Sequence, residues 1–180
     1  MEDNNRKILI LGLDNCGKST ILLSLKEETN LLSYLSLKPT RGVNIEQFKE
    51  NNINIYAWDF GGQKEYRSDH ITKFKDYIKE VDELLFIIDV QDYNRYNQAL
   101  KYLEDIIKSI EQEEKIIDLS IFLHKYDPNL KNKTEFKDID EKINHLINKQ
   151  IFDLIPPKFK YKIYRSSVYT IFEKNLIFST

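Results

Sequence analysis

Gly12-Leu13-Asp14-Asn15-Cys16-Gly17-Lys18-Ser19-Thr20 sets two glycines, four residues between them, directly ahead of a lysine and a serine. This G-x-x-x-x-G-K-S pattern is that of a phosphate-binding P-loop. Consecutive backbone N–H groups of such a loop turn inward around phosphate oxygens, and the helix behind it adds its partial positive charge. Asp14, Asn15, Cys16 and Gly17 are expected to present those groups, with Thr20 at the helix start completing the run. Lys18 would neutralise the outer phosphates and the Ser19 hydroxyl would ligate magnesium. The stretch predicts a nucleoside phosphate site. Cys16 reads as a small loop residue contributing its backbone, with redox sensing as the competing reading.

Three further stretches carry chemistry. Trp58-Asp59-Phe60-Gly61-Gly62-Gln63 holds the sequence D-x-x-G. Asp59 would hold magnesium through water, and Gln63 would orient an attacking water. Gly62 would bring its N–H to a γ-phosphate, because a residue without Cβ lets the backbone come close. A tight turn and a solvated glutamine are the bland alternatives. Thr40, between the P-loop and Asp59, can reach magnesium only when its loop closes over a γ-phosphate, which would make that loop a switch. Otherwise it is a turn threonine after Pro39. In His124-Lys125-Tyr126-Asp127 the carboxylate can accept from guanine N1–H and N2–H₂, a donor pair adenine lacks, so Asp127 would select guanine. The Lys125 stem can cover the face of the base. In Arg165-Ser166-Ser167-Val168, the backbone N–H groups, with Ser167 and Val168 as the contacts, are candidates for the guanine O6.

These residues need a scaffold that brings strand ends together. Apolar runs predict buried strands at Arg6 to Leu11, Leu84 to Asp89, Leu119 to Leu123 and Tyr161 to Tyr164. Val43 to Lys49 and Ile53 to Asp59 flank Glu50-Asn51-Asn52 and predict a hairpin, whose first arm is the one antiparallel strand. Helices are predicted at Gly17 to Glu28, Lys64 to Glu80, Arg95 to Ile110, Thr134 to Gln150 and Val168 to Asn175. Thr134 is the expected N-cap of the fourth, and Asn30 to Gly42 reads as a loop. Strands alternating with helices predict a doubly wound α/β sheet, six-stranded and mostly parallel, with about five helices and its ligand at the strand C-terminal ends.

A chain of 180 residues with 31% charged residues and net charge −2 suits one domain, 1–180, and points to no nucleic-acid or acidic-lipid surface. One cysteine can make no internal disulfide, which fits a reducing, cytoplasmic setting. No apolar run approaches a membrane span. Met1-Glu2-Asp3 does not read as a signal peptide, and with Glu2 at the second position no N-myristoylation is expected. The C-terminus carries no prenylation cysteine, so any membrane contact is expected through partners, without a direct lipid anchor.

With these stations in order, the chain resembles small GTPases of the Ras superfamily over nearly its whole length, and two branches are represented. Gly12-Leu13-Asp14, Pro39-Thr40 with Gly42 and Asn44, and Trp58-Asp59 with Gly61-Gly62-Gln63 look like the ADP-ribosylation factor (Arf) branch. His124-Lys125-Tyr126-Asp127, with Ile88 to Tyr93 and Ser166 to Tyr169, looks like the Rag/Gtr branch, where histidine replaces the usual asparagine. The resemblance implies a Ras-like G domain that binds GTP or GDP with Mg2+. Lys18, Thr40 and Gln63 would be its catalytic residues, and Ser19, Thr40 and Asp59 its metal residues. It implies slow GTP hydrolysis and partners of three kinds, a GTPase-activating protein (GAP), an exchange factor and effectors, in trafficking or signalling. Histidine at 124 removes an amide that usually braces the P-loop. The alternative is an interaction subunit that holds nucleotide statically in a heterodimeric or coat-like assembly, with Tyr66, Tyr77, Tyr93 and Tyr96 as candidate interface aromatics, although among eleven tyrosines the ordinary surface reading is favoured over it. A P-loop kinase has no use for the Asp59–Gln63 motif or the Lys125/Asp127 pair.

Overall fold

The computed structural model describes residues 5–26 and 30–169. Its strands are β1 (Asn5–Gly12), β2 (Val43–Glu50), β3 (Ile53–Phe60), β4 (Glu83–Asp89), β5 (Asp118–His124) and β6 (Tyr161–Arg165). Its helices are α1 (Lys18–Ser24), α2 (Leu31–Leu35), α3 (Lys64–Thr72), α4 (Phe74–Tyr77), α5 (Tyr96–Gln112), α6 (Ile139–His145) and α7 (Phe152–Leu154). The six strands form one sheet in the order β2-β3-β1-β4-β5-β6. Only the β2–β3 pair is antiparallel. The six-stranded, mostly parallel α/β architecture expected from the sequence is the one observed.

Why the central strands read as unbroken apolar runs is clear from their layering. In β1, Leu9 and Leu11 face the larger core while Ile10 faces a smaller one with Cys16, Ile21, Leu22, Ala57 and Ile87. A parallel strand covered on both faces has no polar side to alternate with. On the larger side α5 lays Ala99, Leu103, Ile106 and Ile110 against Phe86 and Ile88, and α6 adds Ile139 and Ile143. The hairpin between β2 and β3 turns at Asn51 and Asn52, with φ 46° and 65°. Two consecutive left-handed residues make the turn whose twist matches that of the strands.

Four expectations need correction. Residues 30–42 are not all loop. The Asn30 side chain accepts from the Ser33 N–H at 3.0 Å and caps the short helix α2. The single helix predicted over Lys64 to Glu80 is two, parted at Lys73. Thr72 donates its hydroxyl back to the Ser68 carbonyl at 3.0 Å, the kind of bond that bends a helix end, and Phe74 and Ile78 then turn fully into the core. Thr134 caps nothing, since Thr134–Phe136 is a separate 3-10 turn that buries Phe136 and α6 begins at Ile139. The chain continues past α6 as a π-helical stretch, Leu146–Ile151. Finally, α1 ends at Ser24 rather than running on as predicted. The last predicted helix, Val168 to Asn175, lies outside the described residues from 170 onward, and Val168 and Tyr169 are irregular.

Candidate functional site

Parallel register gathers the chemistry at one edge of the sheet. Ile10 pairs with Asp59, Gly12 with Ile87, Asp89 with His124 and Leu123 with Arg165, so each strand's carboxyl end opens on the same side. The P-loop leaves β1 there. Asn15 and Gly17 adopt φ of 60° and 94°, which turns the loop back on itself. Gly17 has no room for a side chain, because a Cβ there would lie 2.6 Å from Cδ2 of His124. Lys18 is buried, and its Nζ donates to the carbonyls of Leu13 at 2.7 Å and Gly12 at 3.2 Å.

Ser19, Thr40 and Asp59 come from a helix start, a loop and a strand end, and they converge. Ser19 Oγ donates to Asp59 Oδ2 at 2.5 Å and Thr40 Oγ1 to the same oxygen at 2.8 Å, with 3.0 Å between the hydroxyls. The other carboxylate oxygen, Asp59 Oδ1, is buried without a hydrogen-bond partner among the described residues. Two hydroxyls and a carboxylate with a spare buried lone pair form an all-oxygen donor set, which fits a hard divalent cation such as magnesium.

Backbone contacts dock the surrounding segments on the P-loop. Gly61 N donates to Gly42 O at 2.7 Å, tying the loop that carries Thr40 to the end of β3. Asp14 N donates to Gly62 O at 3.1 Å. A Cβ at Gly62 would lie 2.2 Å from the Asp14 nitrogen, so glycine is required for this approach. The expectation was that Gly62 would offer its N–H to a γ-phosphate; here the carbonyl of Gly62 is what meets the P-loop. Between these segments lies a cleft of about 380 Å³ lined by Asp14, Asn15, Gly17, Lys18, Ser19, Thr20, Thr40, Gly62 and Gln63, with Leu37 to Pro39 at its rim.

At the other end of the cleft, the loop after β5 packs under the P-loop. His124 is buried against Gly17, and its Nδ1 lies 3.0 Å from Ser166 Oγ. Burial, with Lys125 adding to it, holds its pKa below the ordinary histidine value. The ring thus supports the loop by packing, where the sequence suggested only the loss of an amide brace. Lys125 Nζ donates to Asn15 O at 2.6 Å and pairs with Asp89 Oδ2 at 2.7 Å. Asp127 Oδ1 accepts from Ser167 Oγ. The backbone N–H of Ser166, one of the candidates for guanine O6, is taken by Leu123 O at 3.0 Å. Val168 is half-buried beside Ser167. Cys16 turns its thiol into the small core, and burial pushes its pKa up, so it is a packing residue rather than a reactive thiol.

Several participants were given no site role from sequence, although Asp89 and Gln91 lie in the Ile88 to Tyr93 stretch that carries part of the resemblance. Gln91 Nε2 donates to Lys125 O at 2.7 Å and to Asp127 Oδ2 at 2.8 Å. Asp89 braces Lys125 and accepts from Gln91 N at 2.9 Å. Arg95 donates to Asp14 Oδ1 at 3.0 Å, to the Asp14 carbonyl at 3.2 Å, and to Asp92 at 2.5 Å. The signal available was the position of Asp89 and Gln91 at the end of an apolar strand, where this fold puts its ligand. Of the tyrosines read as interface candidates, Tyr96 is buried, with its hydroxyl donated to Val90 O at 2.7 Å. Tyr77 packs edge-on to Phe60 at 5.0 Å.

A glycine-rich strand-to-helix loop, a carboxylate at the neighbouring strand end and a β5 loop folded beneath both define an α/β P-loop nucleotide-binding domain. The family model of the ADP-ribosylation factor family matches residues 1–167, and the chain belongs to that family of small GTPases. It is 34% identical to ADP-ribosylation factor-like protein 3 of Chlamydomonas reinhardtii, over 70% of this chain and 66% of that protein. It is 32% identical to ADP-ribosylation factor F of Dictyostelium discoideum, over 68% of this chain and 60% of that one. The alignments thus span less than two thirds of either relative. Among solved structures, the Arl6 BBS3 small GTPase from Trypanosoma brucei, with the nucleotide analogue GppNp bound, superposes with a TM-score of 0.62. That comparison covers 91% of this chain and 87% of the other at 19% identity, a likeness of fold.

Proposed function

We propose that the chain is a guanine-nucleotide switch that binds GTP and GDP with Mg2+ and hydrolyses GTP slowly. The observation that carries this reading is the meeting of Ser19, Thr40 and Asp59 on one carboxylate oxygen, with Gln63 on the wall of the same cleft. Thr40 belongs to a loop, and a loop hydroxyl that reaches this carboxylate supports a switch whose loop closes over a γ-phosphate. Ser19, Thr40 and Asp59 would hold the ion, which when bound neutralises charge on the outer phosphate oxygens. Loop N–H groups and Lys18 cradle the phosphates, and Lys18 exchanges its carbonyl partners for phosphate oxygens. Asp127 accepts from the guanine edge, Ser167 orients that carboxylate, and the Lys125 stem lies along the base. Gln63 positions the water that attacks the γ-phosphate. An arginine supplied by a partner would raise the rate by roughly 10³–10⁵-fold. Regulators of exchange and hydrolysis, effectors that read the loop state, and a cytoplasmic setting follow from this reading.

Single-turnover GTP hydrolysis with magnesium, with Gln63→Leu as the control, tests it. The expected result is slow turnover by the native chain and none by the variant, with nucleotide affinity unchanged. Hydrolysis that survives Gln63→Leu would remove that residue from its role. Tight binding without turnover in either protein would support the static nucleotide-holding subunit.

A further inference from the structure

Asp14 sets a carboxylate in the wall of a cleft that otherwise suits phosphates. Its N–H is donated to Gly62 O at 3.1 Å, and Thr40, Gly62 and Gln63 line the cleft with it, so it stands at the end away from Asp127. In the switch reading that end takes the outermost phosphate. The charge of Asp59 would be met by the cation it holds, whereas that of Asp14 faces the phosphate directly. Repulsion between like charges falls with distance, so a carboxylate here opposes a triphosphate more than a diphosphate. Arg95, 81 residues away in sequence and just ahead of α5, grips this residue at two points. One terminal nitrogen donates to Asp14 Oδ1 at 3.0 Å and the other to the Asp14 carbonyl at 3.2 Å. Its Nε donates to Asp92 Oδ2 at 2.5 Å, so all three nitrogens are engaged and the planar fork is fixed. The two side chains are 30% and 45% exposed, and ion pairs open to water add little to folding stability. What the pair controls is the charge and the position of the carboxylate.

We infer that Arg95 is a positioning residue that sets the preference of the cleft for nucleoside triphosphate over diphosphate, by holding and neutralising Asp14 so that its carboxylate stays off the terminal phosphate. Arg95 acts through Asp14 and not on the phosphate itself. The inference rests on the nucleotide reading of the cleft and deepens it, but it is independent of the base, since only the number of phosphates enters. The hold on the Asp14 carbonyl also steadies the peptide ahead of Asn15, whose φ is 60°. Loss of that second contact acts on both nucleotides alike, so the ratio of the two affinities isolates the effect of charge.

The test measures, by calorimetry on the full chain with Mg2+, the Kd of a non-hydrolysable GTP analogue and of GDP, with the corresponding ATP analogue and ADP in parallel. Arg95→Met should weaken the triphosphate at least ~10-fold more than the diphosphate. Adding Asp14→Asn to that variant should bring the ratio back toward the native one. Arg95→Lys, which keeps the charge and loses the fork, should give an intermediate ratio. Asp14→Asn alone, a change of nearly equal shape, should tilt the ratio toward the triphosphate, because it leaves the guanidinium unopposed. High salt should shrink the Arg95→Met effect, since exposed charges are screened. Equal weakening of both nucleotides by Arg95→Met would make the pair a structural tie and overturn the inference. So would a ratio that Asp14→Asn does not restore, or one that the single Asp14→Asn change moves toward the diphosphate. Adenine nucleotides bound in place of guanine ones, with the ratio moving as expected, would count against the guanine reading alone. Guanine nucleotides bound with an unmoved ratio would count against Arg95 alone, and a native chain that binds neither pair would overturn both.

Discussion

The side chain of Gln91 donates from one nitrogen to two acceptors of the loop after β5, the Lys125 carbonyl and the Asp127 carboxylate. Lys125 has φ 61°, a left-handed conformation that costs a residue with a Cβ roughly 1–2 kcal/mol. Something outside the loop must hold it, and Gln91 with Asp89 does so. Gln91→Leu keeps the volume and removes the donor. A hydrogen bond to a charged group contributes about 1.5–3 kcal/mol, so GDP affinity should fall by roughly 10- to 100-fold. Displacement of a fluorescent GDP analogue measures this, and an unchanged affinity would make the amide a bystander. The same residue shows where reading from sequence stops. Lys18 and Ser19 are legible because a phosphate loop is built from contiguous backbone. Gln91 acts on a loop 34 residues away, and only the pairing of β4 with β5 brings them together.

Among elements, the hairpin of β2 and β3 is the clearest case of local sequence specifying geometry. Its two-residue tip, Asn51-Asn52, sits at positive φ in both positions, and asparagine tolerates this better than any residue except glycine. Asn52→Gly should therefore stabilise the chain by about 0.5 kcal/mol, while Asn52→Val should cost about 1–2 kcal/mol by putting a branched side chain in a left-handed turn. Urea midpoints with unchanged slopes would report both effects. A lower midpoint for the glycine variant would mean that the turn is held by something other than its backbone preference. Helix limits were harder to read for a physical reason. The α3–α4 break follows from a threonine hydroxyl bonding backward and from the depth at which Phe74 and Ile78 pack, neither of which has a breaker residue to announce it. α2 has one asparagine cap and leaves Leu32 and Leu35 exposed, so it lacks the buried face that periodicity detects.

At the scale of the whole molecule, the α/β alternation was legible, and with it the expectation that ligands gather at strand ends. The order of the strands was not, because it depends on which edges pair. That order sets two buried histidines on either side of the nucleotide cleft. His124 lies beneath Gly17 at the end of β5, and His70 of α3 packs edge-on to Phe60 at 4.9 Å beside the segment docked on the P-loop. Loss of water is the main cause that lowers both pKa values. Lys125 adds to it at His124, and Asp69 opposes it at His70. In the unfolded chain both titrate near their ordinary value of about 6.5. Below that pH the unfolded state binds protons that the folded state refuses, so folding stability falls as pH drops from about 6.5 toward the folded pKa values. Above about 6.5 the contribution is complete and flat. The slope can reach at most ~1.4 kcal/mol per pH unit for each histidine. Glu46, whose bond to Lys26 lowers its pKa, and Asp140, lowered first by its bond to Lys131, lose their contributions only as pH falls below the ordinary carboxylate range of about 4. Between about pH 6.5 and 5 the histidines should therefore dominate. Urea midpoints at about pH 7.5, 6.5 and 5.5 should be level across the first step and drop across the second. His70→Gln and His124→Asn should each flatten part of that drop, and nucleotide should be released more readily as it occurs, because both rings support walls of the cleft. A native profile level across the second step would mean that these rings are reached by water and carry no such load.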